Sequence, residues 1–350
     1  MSKKPWIFSL SLAELSELFK TTGEKPFRAK QVFKRLYGQL LGDPDEMKEL
    51  PKNLREKLPT MVDFGLPPIV SREETKDGRT VKVAIELAPN ELPVEAVLLL
   101  NARRRPTFCL SSQLGCVLDC TFCSTATMGF QRNLTAAEMI YQVWVLRKEL
   151  LSRDLSPSHN IVFMGMGEPL ANRNNLSETL SRLHSSELFE ISWRNMTVST
   201  AGVVEGITWM AEEFPQVNLA LSLNAASDTI RRKLMPSLAK HPIKELISAM
   251  VGHYKKTGRR PTFEYVLLDG INADPKAAKE LVKLLTKVPC LVNLIPFNGD
   301  EKSTHSSPPM ASQRAFHSIL EKGGIKVTLR RSPGKEIRAG CGQLATKDRP

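Results

Sequence analysis

Three cysteines close together in the chain, Cys116, Cys120 and Cys123, are the residues best suited to chemistry. They form a C-x3-C-x2-C run within the stretch GCVLDCTFCSTATMGF. Three thiolates on one loop can hold three corners of a four-iron cluster and leave the fourth iron without a protein ligand. The spacing therefore predicts a 4Fe–4S cluster with one iron open for chemistry.

Two other interpretations of these cysteines remain open on the residues alone. Structural zinc is closed by four ligands, so Cys109, seven residues upstream, would have to be the fourth. No histidine lies between Cys109 and Asn133 to take that place. The remaining interpretation is buried cysteines without any ligand.

The composition is that of an ordinary globular protein with an excess of positive charge. The 350 residues contain 49 Lys and Arg against 37 Asp and Glu, a formal net charge of +12. Such an excess favours a polyanionic partner, most commonly nucleic acid. No run of about 18 apolar residues exists, so we expect no membrane span. Six cysteines, three of them clustered, suit metal binding in a reducing compartment, and we expect a cytoplasmic protein that is a monomer.

Residues 1–65 are predicted to form a small helical accessory domain. Ser11 can cap a first helix, Pro26 opens a second, and a third runs from about Pro51 to Leu58 with several basic side chains. Modules of this kind either hold a nucleic-acid backbone or serve as packing domains.

Residues 66–100 are predicted to be a β extension. Apolar and polar residues alternate there, and Asp77-Gly78 and Pro89-Asn90 indicate tight turns between antiparallel strands. Glu95 is a carboxylate among apolar neighbours in VEAVLL, and its simplest interpretation is a solvent-facing strand residue.

Residues 101–322 alternate between apolar runs and helical patterns. This alternation predicts parallel strands with crossover helices, hence an α/β fold, and six such units make a partial barrel. A doubly wound sheet fits the periodicity nearly as well. The predicted strands are 108–113, 161–166, 196–201, 219–224, 263–268 and 290–295.

Residues 323–350 are predicted to be a strand followed by a tail that carries Cys341. This cysteine stands between Gly340 and Gly342, which impose no side-chain bulk and allow unusual backbone angles. Such a setting suits a mobile thiol.

The C-x3-C-x2-C run resembles the signature of radical S-adenosylmethionine (radical SAM) enzymes, in which the open iron chelates SAM. With CSTATMGFQRNLTAAEM after the cluster cysteines and GCGQLA near the end, the chain resembles the RlmN/Cfr family of RNA adenine methyltransferases. The resemblance covers almost the whole chain. It implies an open (β/α)6 barrel with the cluster at the C-terminal ends of the strands, and therefore favours the barrel over the doubly wound sheet.

The resemblance also implies a SAM site at the ends of successive strands. The GMGEPL turn would meet the SAM amino group, and polar residues at later strand ends would contact the rest of SAM. Each of these residues could instead cap the helix that follows it. The implied contacts are Gly167, Glu168, Ser199, Ser222, Leu223, Asn224 and Asn298.

In the resembling family, Cys341 and Cys109 act as a pair. The resemblance implies that one SAM methylates Cys341 and a second SAM yields the radical that activates this methyl group, so two SAM molecules are used per turnover. The activated carbon would join an adenine ring carbon, and Cys109 would release the RNA by forming a disulfide with Cys341. Glu95 would help a proton leave the ring. The alternative for Cys341 is a spare surface thiol.

The implied partners are RNA, namely 23S rRNA and for some members tRNA, and a reductase such as a flavodoxin system. Basic clusters at 103–105, 231–233, 255–260 and 330–331 fit phosphate contacts. CSTA after the third cysteine favours methylation at C2 over C8. Competing hypotheses are a divergent paralogue acting on another RNA, a radical SAM enzyme with a non-RNA substrate, and a zinc-containing RNA-binding protein without enzymatic activity.

Overall fold

The N-terminal residues of this computed structural model form a helical unit. The structure describes residues 4–156, 158–238, 240–299, 303–330 and 333–345. Three helices lie in the first 61 residues, and the second continues into a π-helical turn at Lys34–Gly38. They are α1 (Leu12–Thr21), α2 (Phe27–Phe33) and α3 (Lys52–Met61). As predicted, Ser11 caps α1, and Glu14 completes a capping box that satisfies the free N–H groups at the helix start.

The β extension consists of three antiparallel strands that belong to the main sheet. They are β1 (Ile69–Glu74), β2 (Thr80–Ile85) and β3 (Val94–Leu100). The next strand, β4 (Pro106–Cys109), is antiparallel to β3 and opens the barrel region. The predicted strand 108–113 is therefore wrong at its end, because Gln113–Gly115 forms β5 and pairs instead with β6 (Phe130–Asn133) in a separate two-stranded sheet.

Parallel strands and crossover helices make up the remainder. The helices are α4 (Ala136–Leu151), α5 (Arg173–His184), α6 (Val204–Glu213), α7 (Asp228–Leu234), α8 (Ile243–Thr257), α9 (Pro275–Leu285) and α10 (Met310–Lys322). The strands are β7 (Asn160–Phe163), β8 (Met196–Thr200), β9 (Asn218–Ser222), β10 (Thr262–Leu267), β11 (Leu291–Pro296) and β12 (Lys326–Leu329).

The strand order settles the choice between the two α/β architectures. The ten-stranded sheet runs β1-β2-β3-β4-β7-β8-β9-β10-β11-β12, in chain order without a reversal. A doubly wound sheet requires a reversal of strand order, so the sheet is singly wound, as in a barrel. Beyond β12, Glu336 accepts a hydrogen bond from the backbone N–H of Lys76 at 3.0 Å, so the two edges of the curved sheet approach each other.

The helical unit packs on the outside of the barrel through aromatic side chains. Phe8 is fully buried and its ring contacts those of Tyr37, Tyr141 and Trp144. The Trp144 indole N–H donates to the Leu36 carbonyl at 2.8 Å. Aromatic edge-to-face pairs of this kind add to the burial energy, so the unit is fixed against α4. Within the described ranges, no helix is long and apolar enough to cross a membrane.

Candidate active site

The loop that carries the three clustered cysteines is held in place by the turn that follows α7. Ser237 donates its backbone N–H to the Asp119 carboxylate at 3.0 Å. The Thr121 N–H donates to the Leu234 carbonyl at 2.9 Å. These hydrogen bonds fix the cysteine loop at Asp119 and Thr121, on either side of Cys120.

Cys116, Cys120 and Cys123 line one pocket at the C-terminal ends of the parallel strands, with about 950 Å³ of open space that extends to solvent. The three thiols act on one another electrostatically. Burial raises the pKa of Cys116 to about 12 and that of Cys120 well above its usual value, so metal binding would have to displace their protons.

The donors and their surroundings fit a 4Fe–4S cluster. Three thiols line one space, and apolar side chains line it with them: Leu118 and Phe122 of the loop itself, and Met235 and Phe297, which pack against them. Such a shell suits an iron–sulfur centre, whose potential depends on solvent access. Among the described residues, no three Cys, His, Asp or Glu side chains meet closely enough to hold a single metal ion.

The two glycines of the GMGEPL turn are required because a side chain at either position would clash with neighbouring protein atoms. A Cβ on Gly167, where φ is +96°, would lie 2.5 Å from the Gln113 Cβ. A Cβ on Gly165 would lie 2.7 Å from the Leu110 carbonyl oxygen. Both glycines therefore allow the end of β7 to approach the segment after β4, which places Glu168 in the pocket.

Glu168 is a buried carboxylate in the pocket wall, 2% exposed. Its two oxygens accept hydrogen bonds from the backbone N–H groups of Leu170 at 3.0 Å and Ala201 at 2.7 Å. Burial nevertheless raises its pKa to about 7. A cationic amine in the pocket would favour the ionised form, since an opposite charge at close range stabilises a carboxylate.

Three of the remaining predicted SAM contacts also line the pocket. The hydroxyls of Ser199 and Ser222 are 3.5 Å apart at the ends of neighbouring strands. Asn224, with a positive φ of 56°, accepts a hydrogen bond from the Val266 N–H at 3.0 Å and so links the ends of β9 and β10. These side chains present hydroxyl and amide groups to the same space.

Leu223 and Asn298 are not brought into the pocket wall. The Leu223 side chain is fully buried in the hydrophobic core, so its backbone alone could meet a ligand. Asn298 is buried beside the tail, where a Cβ on Gly340 would lie 3.0 Å from its amide nitrogen. Its position indicates a contact with the tail.

The tail brings Cys341 to the same pocket as the clustered cysteines. The Ser124 N–H donates to the Gly342 carbonyl at 2.7 Å, and the Thr125 hydroxyl donates to the Leu344 carbonyl at 2.6 Å. Cys341 itself is exposed. Two hydrogen bonds from the cysteine loop thus hold Cys341 at the pocket.

Cys109, at the end of β4, is close enough to Cys341 for that cysteine to contribute to raising the pKa of Cys109. It is partly exposed, but its low-polarity surroundings raise its pKa to about 12. Both cysteines are free thiols. The structure therefore brings together two thiols that are 232 positions apart in the sequence.

Glu95 is buried, so its interpretation as a solvent-facing residue is wrong. It is 4% exposed on β3, and Lys82 on the neighbouring strand lies 3.2 Å from its carboxylate and 3.0 Å from that of Glu73. Burial raises the pKa of Glu95, and Lys82 opposes this. Glu95 lies outside the pocket wall, but the backbone N–H of Ala345 in the tail is near its carboxylate.

Thr200, at the end of β8, and Glu264, within β10, are among the pocket residues that sequence reasoning missed. The available signal for Glu264 was a single acid in the otherwise apolar run FEYVLL. The prediction that Arg231 contacts phosphate is wrong, because this residue is 2% exposed and donates a hydrogen bond to the Ala201 carbonyl. Of the pair 330–331, Arg330 is half exposed, and residue 331 lies outside the described residues.

Comparison with known proteins agrees with this architecture. Residues 7–63 match the family model of the ribosomal RNA large subunit methyltransferase N-terminal domain, and residues 110–282 match that of the radical SAM superfamily. A crystal structure of a radical SAM methyltransferase from Sphaerobacter thermophilus superimposes with a TM-score of 0.93 at 40% identity, covering 98% of this chain and 100% of that one.

Two curated relatives are named dual-specificity RNA methyltransferase RlmN. The protein from Marinobacter nauticus is 41% identical over 98% of this chain and 93% of its own length. That from Lawsonia intracellularis is 40% identical over 97% of this chain and 96% of its own. The fold and the cysteine loop are those of a radical SAM protein. Within that class, the chain belongs to the RlmN family.

The substitution Gly167→Ala tests the close approach of the two strand ends. We expect it to lower the free energy of unfolding by about 2–4 kcal/mol, because a positive φ and an overpacked Cβ both cost energy. Gly258→Ala is the matched control, since its φ is +68° with no atom within 4 Å of the added Cβ. Urea unfolding of both variants gives the difference, and an equal loss in the two would contradict the packing argument.

Proposed function

We propose that this protein adds a methyl group to C2 of an adenine in 23S ribosomal RNA, and that transfer RNA is a second substrate. The observation that carries the proposal is that one pocket holds Cys341 together with the three clustered cysteines, and that Cys109 lies within electrostatic range of Cys341. The names of the curated relatives support an RNA substrate. The +12 net charge suits such a polyanion.

Cys116, Cys120 and Cys123 would hold the cluster, which supplies the electron that cleaves SAM reductively. Glu168 would accept hydrogen bonds from the SAM amino group, and the hydroxyls of Ser199 and Ser222 would bind further polar atoms. The apolar side chains that line the pocket would exclude water from the reactive species. These residues bind, orient and shield the cofactors.

Cys341 would carry the methyl group. Its thiol accepts the methyl from one SAM and later presents the activated carbon to the base. Once that carbon is joined to the ring and the ring has lost its proton and one electron, which the cluster could accept, Cys109 would attack the Cys341 sulfur. The S–S bond would form as the S–C bond breaks, and the released carbon would take up a proton to become the methyl group of the RNA. A cellular reductant would reopen this disulfide. Glu95 lies outside the pocket wall, so it would assist removal of the ring proton only indirectly, through the tail whose Ala345 N–H is near its carboxylate.

The direct test reacts anaerobically purified protein with SAM, a reductant and total RNA that lacks its modifications. We expect iron and sulfide in the protein and 2-methyladenosine in the RNA, located by mass spectrometry. 8-Methyladenosine would identify the alternative position, and SAM cleavage without RNA methylation would point to another substrate. Zinc in place of iron, with SAM left intact, would refute the assignment.

The substitution Cys341→Ala is expected to abolish methyl transfer while the cluster and SAM cleavage remain, because it removes the carrier alone. Cys290→Ala is the matched control: Cys290 is a buried cysteine beside β11, outside the pocket. Absorbance of the cluster, 5′-deoxyadenosine release and RNA methylation are measured in parallel. Full transfer by Cys341→Ala would disprove the carrier role.

The substitution Cys109→Ala is expected to trap RNA on the protein, because the adduct could no longer be resolved. Denaturing gel electrophoresis with RNase treatment detects the covalent species. The double substitution Cys109→Ala/Cys341→Ala is the control and should carry no RNA. A Cys109→Ala protein free of attached RNA, and with normal turnover, would count against the resolving role.

A further inference from the structure

Four polar side chains form a row across the inner face of the parallel sheet. Ser222 on β9 is in register with Glu264 on β10, Glu264 with Asn293 on β11, and Asn293 with Thr328 on β12. Residues in register on neighbouring strands project to the same face of a sheet. We call these four residues the polar row; Ser222 and Glu264 line the pocket.

Hydrogen bonds along the polar row hold one oxygen of the Glu264 carboxylate. The Thr328 hydroxyl donates to the Asn293 amide oxygen at 2.5 Å, and the Asn293 amide nitrogen donates to Glu264 Oε1 at 2.8 Å. Because the Asn293 nitrogen is a donor alone, Oε1 is fixed as an acceptor. Thr328, on the edge strand β12, thus orients Asn293, and Asn293 in turn orients the Glu264 carboxylate.

The other oxygen, Glu264 Oε2, is buried, and no residue that the structure describes donates a hydrogen bond to it. Arg330 forms an ion pair with this oxygen: its guanidinium nitrogen is 3.7 Å away, beyond hydrogen-bond distance, and its side chain is half exposed. Glu264 as a whole is 5% exposed, and burial raises its pKa. A buried acceptor without a donor is costly, so the site is suited to a ligand that donates a hydrogen bond there.

The pocket is lined by two buried acids, Glu168 and Glu264, which act electrostatically on different cysteines. Glu168 acts electrostatically on Cys116 and Cys120, whereas Glu264 acts on Cys341. In the proposed function SAM contacts Glu168. Cys341 meets SAM when it is methylated and meets the substrate base when it delivers the carbon, so Glu264, which acts on Cys341, is placed to meet that base.

We propose that Glu264 is a specificity residue whose Oε2 accepts a hydrogen bond from the exocyclic amino group of the target adenine. Asn293 and Thr328 are positioning residues that act through the carboxylate. A base with a carbonyl at this position would place a second acceptor against Oε2 and be rejected, and a base with hydrogen there would leave Oε2 unpaired. This inference rests on the proposed function and adds how its substrate base is selected.

The substitution Glu264→Gln makes a directional test possible. The Asn293 amide nitrogen would still require an acceptor, so it would hold the new amide oxygen in the place of Oε1. The amide nitrogen would then take the place of Oε2 and present a donor. A donor there suits the carbonyl of hypoxanthine and not the amino group of adenine.

The experiment uses synthetic RNA fragments that span the position methylated above and carry adenosine, inosine or purine riboside there. For the cluster-loaded wild-type protein, we expect kcat/KM for purine riboside to fall about 10- to 100-fold below that for adenosine, the range for hydrogen bonds to charged groups. For Glu264→Gln we expect adenosine to lose a similar factor and the inosine-to-adenosine ratio to rise at least about tenfold. The KM for SAM should stay unchanged.

Three results of this experiment would each contradict a different part of the proposal. If wild-type protein methylates no adenosine fragment, the proposed function fails and the inference falls with it. If adenosine is methylated but purine riboside serves equally well, Glu264 does not recognise the amino group; this result needs no variant to fold. If Glu264→Gln raises the KM for SAM and leaves the base preference intact, the carboxylate binds SAM instead. Glu212→Gln, on the outer helix α6, is the matched control and should behave as wild type.

Discussion

Two hydrogen bonds join the tail to the cysteine loop, and the proposed chemistry depends on them. The Ser124 N–H binds the Gly342 carbonyl, and the Thr125 hydroxyl binds that of Leu344. The residues joined are more than 200 positions apart, so their contact is a product of the whole fold. Every strand between them must be in order before Cys341 reaches the pocket. Closing such a long loop is costly in entropy, and the buried core of the barrel offsets that cost.

The strand ends supply the rest of the pocket because parallel strands bring their C-terminal ends to one edge. Thr200, Ser222 and Glu264 lie on three neighbouring strands, and glycines at 165 and 167 let the end of β7 approach the segment after β4. The same register that pairs the backbone also places polar side chains in a row. Specificity in this site is therefore set by the sheet, whose geometry is more rigid than that of loops.

Short stretches of sequence were enough to predict the strands and the helix start that depend mainly on residues near them in the chain. The parallel strands appear as apolar runs because they are buried on both faces, and Ser11 caps α1 as a short polar side chain should. Helix α5, Arg173–His184, was expected only as one of the crossovers, since its mostly polar sequence RNNLSETLSRLH does not indicate its bounds. Strand pairing is non-local, so the sequence did not reveal that the β extension and the strand of the tail segment belong to one sheet. The burial of Glu95 also followed from pairing, because its partner Lys82 comes from the neighbouring strand.

The two buried carboxylates of the pocket link ligand binding to stability. The pKa of Glu168 rises from 4.5 to about 7, so the folded chain binds this proton more tightly than the unfolded chain does. The stability gained from that proton is full below pH 4.5 and is lost as pH rises through about 7. Near neutral pH the empty pocket thus holds an ionised group at a cost. A cationic amine beside Glu168, or a hydrogen-bond donor beside Glu264, removes the cost on binding. The free energy released adds to the affinity for the ligand, and the occupied protein becomes more stable than the empty one.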